Sequence, residues 1–350
     1  MKNTTTQKQS SVSPNLHRRR YVAPDATGAK RIVLYDAIRA ISIVLIILIH
    51  SFMSARNITV ANQHAHDAIL RDFLTSADVV LFWFIFTSGA LVWGPKWEPG
   101  VHEYRRFVLD RFIHVVVPYL AWSSLFIILL FLDAPGSQAP FSADYIAHPG
   151  SIDYPSLFTL AKRAVIYVVT GSSWFHLYFT PVVVSFYLMT PLVSWALRAR
   201  RHSADITLAV AIALGIVGTA LFPAPHAGEA TYFLHSYAYR FSFFLPAMAL
   251  GGWFQFRLGS WAEYVSESID RRGWLHRIRR LAIIMSDLSF GTYYVHALFI
   301  LMIQLTLSTL GLNELWAHTS FILLVFIVVT FSSYGFTYIL SKWRVTKWLT

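Results

Sequence analysis

The run Ile32-Val-Leu-Tyr-Asp-Ala-Ile-Arg-Ala-Ile-Ser-Ile-Val-Leu-Ile-Ile-Leu-Ile-His-Ser51 is long and apolar enough to cross a lipid bilayer as one helix, yet it contains Asp36, Arg39 and His50. Eleven positions separate Arg39 from His50. At 100° per residue they leave the same helix face, offset by about 20° and separated by ~16 Å along the axis. Ionisable groups within a membrane are costly and face a protein interior or a wet cavity, so the stripe of Asp36, Arg39 and His50 is a functional-site candidate.

The rest of the chain fits that reading. It is 55% hydrophobic, 16% aromatic and only 13% charged over 350 residues, the composition of an all-α polytopic membrane bundle and not of a soluble enzyme. With no cysteine, disulfides, thiolate metal sites and a cysteine nucleophile are excluded. Hydropathy predicts about eight spans, near 32–53, 77–95, 112–132, 173–196, 205–223, 231–256, 284–309 and 318–340. The net charge of +11 sorts by side. With the N-terminus cytoplasmic, the inner segments hold 23 of the 29 Lys and Arg: seven in 2–31, four in 96–111, three in 198–201, six in 257–280 and three in 342–347. That is the positive-inside pattern; it places both termini in the cytoplasm and accounts for the charge without a nucleic-acid partner.

Three regions follow: a disordered cytoplasmic tail at 1–30, a transmembrane domain at 31–342 and a short cytoplasmic tail at 343–350. The first apolar run reads as an uncleaved signal anchor. The outer segment 133–172 is expected to hold an interfacial helix over 157–169 with Lys162 and Arg163 on its wet side. Tryptophans near span ends, among them Trp93, Trp122, Trp253 and Trp343, read as interface anchors.

Depth divides the polar residues into two groups. Asp36, Arg39, Arg105, Arg106, Arg111 and His114 lie near the inner surface, where cations can receive an anionic cytoplasmic ligand, although inner-edge arginines commonly anchor lipid headgroups. His50, Asp78, His176, His235 and Arg240 lie towards the outer surface, where an imidazole can move a proton. The pattern is that of a cytoplasmic donor and an extracytoplasmic acceptor.

The ordered set Asp36-x2-Arg39-x10-His50, Phe84-Ile-Phe-Thr-Ser-Gly89, Arg111-Phe-Ile-His-Val-Val-Val-Pro-Tyr119, Trp174-Phe-His-Leu-Tyr178 with Pro191, and Ser289-Phe-Gly-Thr-Tyr-Tyr-Val-His296 resembles the acyltransferase 3 family of integral membrane acyltransferases. The phrase Trp174 to Phe179, followed by Phe186-Tyr-Leu-Met-Thr-Pro191, looks most like the branch that acylates exopolysaccharides of the poly-N-acetylglucosamine type. The resemblance implies transfer of an acyl group, commonly acetyl from acetyl-CoA, to a hydroxyl of a cell-surface glycan or glycolipid, in the inner or plasma membrane beside polysaccharide biosynthesis and export machinery. It carries Arg39 and His50 over as an essential pair and assigns the basic motif before the third span to the CoA donor. Two departures stand out. The family commonly has Arg-x2-Arg where this chain has Arg111 and His114, leaving Arg105 and Arg106 as compensating cations, and it commonly has about ten spans.

Acyl transfer to an alcohol needs a base, and His50 is the candidate, acting on the hydroxyl directly or carrying the acyl group in transit. Arg39 suits donor phosphate because its guanidinium fork matches phosphate oxygens, and Asp36 pairs with Arg39 or another basic neighbour. His176, Trp174, Arg240, His296 and Tyr293 are candidate acceptor-binding residues, with His296 and Tyr293 on one helix face. Ser88-Gly89 reads as a close helix approach. His64-Ala-His-Asp67 is too short a motif to assign a metal. Two other readings remain open on the residues alone: a transporter or exporter of a glycan or small molecule using Asp36, Arg39 and His50 as a proton path, and a non-catalytic relative assisting export.

Overall fold

The computed structural model describes residues 31–58, 77–93, 101–132, 157–174, 176–198, 202–222, 232–270, 275–343 and 349. Among them the chain is helical and contains no strand. In order, the helices are α1 (Val33–Ile58), α2 (Ala77–Val92), α3 (Val101–Arg111), a π-helical turn (Phe112–Val116), α4 (Val117–Leu132), α5 (Leu157–Thr170), α6 (Phe179–Leu188), α7 (Thr190–Arg198), α8 (Ser203–Leu221), α9 (Tyr232–Asp270), α10 (Leu275–Asp287), α11 (Ser289–Thr309), a 3-10 turn (Asn313–Ala317) and α12 (Thr319–Lys342). The tail at 1–30, the loop motif at 64–67 and residues 133–156 lie outside the described residues.

Each of the eight apolar segments read from the sequence is helical, but they are not eight equivalent spans. Among the described residues, five stretches are long and apolar enough to cross a membrane: Val33–Ala55, Tyr104–Leu129, Ser203–Leu221, Ser289–Thr309 and Thr319–Lys342. A sixth is α6 with α7, bent by 54°. Pro191 in the first turn of α7 suits such a break, because an N–H there has no intrahelical acceptor to lose. The other two expected spans are α2, whose apolar part is the short stretch Asp78–Val92, and α9, which interleaves Tyr, Ser and Arg240 with its apolar residues. These two helices pack extensively on each other, so they need less lipid-facing surface than a lone span. The expected interfacial helix is α5, with Lys162 exposed. Between 257 and 287 the chain makes the end of α9 and the basic α10, not a further apolar span.

The bundle is apolar on both sides. Phe84, Phe126, Phe179, Phe186 and Phe244 fill its interior, while α8 turns Ile206, Val210, Leu214, Val217 and Leu221 outward to the lipid. The expectation for Trp93 and Trp122 is corrected. Both are buried in the main core, and Trp93 Nε1 donates to the Phe186 carbonyl at 3.3 Å, because neighbouring helices pack over them. Trp343 is exposed as an anchor should be.

Glycine permits a close crossing of α2 and α9. A methyl group at Gly89 of α2 would meet the Met248 carbonyl oxygen of α9, and one at Gly251 of α9 would meet the Phe86 carbonyl oxygen of α2. Both obstacles are backbone and cannot turn aside. Gly251→Ala is therefore expected to destabilise the protein by about 1–3 kcal/mol through overpacking. Gly335→Ala, on the open side of α12 with nothing within 4 Å, is expected to be neutral or slightly stabilising. Thermal unfolding of the two variants in detergent checks the difference, and equal melting temperatures would contradict the crossing.

Candidate functional site

Helices α1 and α11 pack against each other, and their contacts follow in the same order along both. Arg39 on α1 donates through Nη2 to Ser289 Oγ at the start of α11 at 3.0 Å. Further along both helices, His50 Nδ1 and His296 Nε2 are 2.7 Å apart. The two contacts fix the ends of one elongated site.

At the first end, the Arg39 guanidinium lies over two rings, 5.3 Å from the Phe84 centroid and 5.6 Å from that of Phe290. The Arg111 guanidinium, from the last residue of α3, lies 5.2 Å from the Phe107 and Tyr187 centroids. Aromatic faces stabilise a guanidinium while supplying no hydrogen-bond acceptor, so each cation keeps donors available. The Nε atoms of both Arg39 and Arg111 are buried and have no hydrogen-bond partner among the described residues. Arg111, Asp36, Asp287 and Tyr187 are within electrostatic range of Arg39, and so is Tyr334 from α12. Two guanidiniums held near each other where water is scarce repel, and an anion between them removes that cost.

The remaining inner-surface candidates do not join this end. Arg105 and Arg106 are exposed on α3. His114 is exposed and binds its own helix: Nδ1 donates to the Asp110 carbonyl at 2.9 Å and lies 3.2 Å from Asp110 Oδ1. The reason is local. Pro118 has no N–H for the His114 carbonyl and its ring crowds that oxygen, and the backbone widens into the π-helical turn immediately before it. That wider turn breaks the straight-helix register in which His114 shares Arg111's face.

At the second end, three imidazoles from three parts of the chain converge. His50, His176 and His296 are 6%, 1% and 0% exposed, deep enough that every ring nitrogen matters. His176 stands edge-on to the pair, its centroid 4.9 Å from His296 and 6.3 Å from His50. Tyr293, one turn before His296, donates its hydroxyl to the His176 carbonyl and pins the turn before α6 onto α11. Trp174 stacks on Phe126 with centroids 5.0 Å apart, and Phe126 in turn meets the His176 ring.

Arg240 belongs to a neighbouring cluster. Its guanidinium lies 3.2 Å above the Tyr178 ring, and the Tyr178 hydroxyl donates to Asp78 Oδ1 at 3.1 Å, tying α9 and the turn before α6 to α2. A row of rings, Phe84, Phe179 and Tyr293, connects the arginine end to the histidine end. Sequence reading did not single out Ser289, Tyr187, Tyr178, Asp287 or Tyr334 for a role. The first three stand inside phrases it quoted, whereas Tyr334 carries no local signal.

Residues 32–269 match the family described as an acyltransferase domain. No curated protein and no solved structure matches the chain. The match ends before α10, so Asp287, Ser289, Tyr293, His296 and Tyr334 are contributed from beyond it.

The exposed positions should be tolerant and the clusters should not. His114→Ala and Arg105→Ala are expected to change stability by about 0.5 kcal/mol or less. Tyr178→Phe removes the hydrogen bond to Asp78 and is expected to cost about 1–3 kcal/mol. Thermal shifts in detergent compare them, and a loss at His114 equal to that at Tyr178 would contradict the placement.

Proposed function

The match over more than half of the chain makes this protein a member of the acyltransferase family and a multi-pass membrane acyltransferase, and from that premise we propose that it moves an acyl group, most simply acetyl, from cytoplasmic acyl-CoA to a hydroxyl of an exported polysaccharide or glycolipid at the plasma membrane. The observation that carries the reading is the pairing, on one helix, of a partly buried guanidinium site and a buried imidazole site.

The spacing suits the donor. Arg39 and His50 are ~16 Å apart along α1. A phosphopantetheine arm has about thirteen bonds between phosphorus and sulfur, the length of about four extended residues at ~3.5 Å each. A diphosphate on Arg39 and Arg111 therefore lets the thioester reach His50. The unpartnered Nε atoms and the repulsion between the two guanidiniums favour a ligand carrying two adjacent negative charges.

In the reaction the His50 imidazole takes the proton of the acceptor hydroxyl, and the oxygen attacks the thioester carbonyl carbon. The tetrahedral intermediate collapses with cleavage of the C–S bond. The leaving thiolate takes the proton back from the His50 imidazolium, giving the ester and free CoA thiol. Trp174, His176, Tyr293 and Arg240, at and beside the histidine end, are the residues proposed to receive the acceptor. Asp36 balances charge around Arg39.

Purified protein in detergent, given radiolabelled acetyl-CoA and a cell-surface glycan fraction, is expected to transfer label with no membrane gradient. His50→Ala is expected to lower kcat by ~10²–10⁴, the usual share of a general base. Arg39→Lys is expected to raise the donor KM about tenfold, since an ammonium loses the bidentate fork. Gradient-dependent flux with no covalent product would overturn the proposal in favour of a transporter.

A further inference from the structure

The contact between His50 and His296 is a hydrogen bond in the plane of both rings. The planes differ by only 8° and the centroids are 5.0 Å apart, which exceeds the 2.7 Å between nitrogens by 2.3 Å. Such an excess arises only when the two nitrogens lie between the rings on the line joining their centres. Face-to-face stacking does not give it. One proton fits between two nitrogens at that distance, so one ring donates and the other accepts.

The backbone decides which. His296 Nδ1 lies 3.3 Å from the carbonyl oxygen of Thr292, one turn earlier on α11. A carbonyl only accepts, so Nδ1 of His296 carries the hydrogen and Nε2 of the same ring carries the lone pair. That lone pair accepts from His50, so His50 is protonated at Nδ1. In the neutral ring the basic nitrogen is then Nε2.

We propose that His296 is a positioning residue: the relay Thr292 carbonyl, His296, His50 fixes His50 in the single tautomer whose Nε2 is the base. This rests on the function proposed above and deepens it. When Nε2 takes the acceptor proton, Nδ1–H stays bonded to His296 Nε2, and the positive charge of the imidazolium faces a lone pair in place of apolar packing. His176 stands edge-on to both rings and limits their rotation out of the shared plane. His296, on α11, lies beyond the residues 32–269 that match the family.

The direct test needs no substrate. Protein labelled with 15N at histidine and reconstituted in lipid is examined by solid-state NMR, with the His50 signals assigned from their loss in His50→Asn. The expected result is a protonated Nδ1 and an unprotonated Nε2 on His50, with 15N–15N coupling across the bond to His296 Nε2. The reverse tautomer, or no coupling, overturns the proposal. Kinetics supply the second arm. His296→Gln keeps an acceptor oxygen for the His50 N–H and is expected to hold kcat within about tenfold of the native value. His296→Leu has no acceptor and is expected to lose ~10³–10⁴ in kcat, the scale of a general base in the wrong tautomer, with donor KM unchanged. Equal losses in the two variants, or a loss confined to KM, overturn the positioning role. Absence of acyl transfer in the native protein overturns the proposed function instead and leaves the spectroscopic result standing.

Discussion

A guanidinium held among apolar helices constrains everything packed around it. Arg39 sits on a helix whose neighbours are aliphatic, and in that setting its charge is tolerated only with aromatic faces, donated hydrogen bonds and nearby carboxylates. The bundle provides each from a different element: Phe84 from α2, Phe290 and Ser289 from α11, Asp287 from α10 and Asp36 from α1 itself. Arg39 is thereby a point where four helices must meet, and their meeting fixes the register of α1 against α11. That register in turn sets His50 opposite His296.

The rest of the architecture keeps this meeting point closed. Gly89 and Gly251 bring α2 and α9 to backbone contact, and Phe84 and Phe86 of α2 are buried in the bundle beside it. The cluster of Asp78, Tyr178 and Arg240 ties the turn before α6 to α2 and α9, and that turn carries His176. Lipid-facing helices such as α8 bear no part of the site and read as simple apolar rods.

Much of this was legible in the chain and some was not, for physical reasons. Hydropathy located the candidate spans found among the described residues, because backbone hydrogen bonds must close within each apolar segment. It did not fix the exact number of spans, since α2 and α9 pack on each other and neither needs the length and apolarity of a lone span. Helical periodicity set Arg39 and His50 on one face, a local relation that survives folding. It does not describe the segment at His114, where the backbone makes a π-helical turn ahead of Pro118. The partnership of His50 with His296 spans 246 positions, and no local spacing encodes it. The same holds for Tyr334 beside Arg39. Trp93 and Trp122 misled because a tryptophan near a span end marks the interface only when nothing packs over it.

The central claim is that one elongated site joins the cations at Arg39 and Arg111 to the imidazoles at His50 and His296. Cryo-electron microscopy of the full chain with a non-hydrolysable thioether analogue of acetyl-CoA tests it most directly. The account predicts the diphosphate in contact with both Arg39 and Arg111 and the acyl carbon beside His50. An analogue resting on the exposed Arg105 and Arg106, with no contact to Arg39, would contradict it.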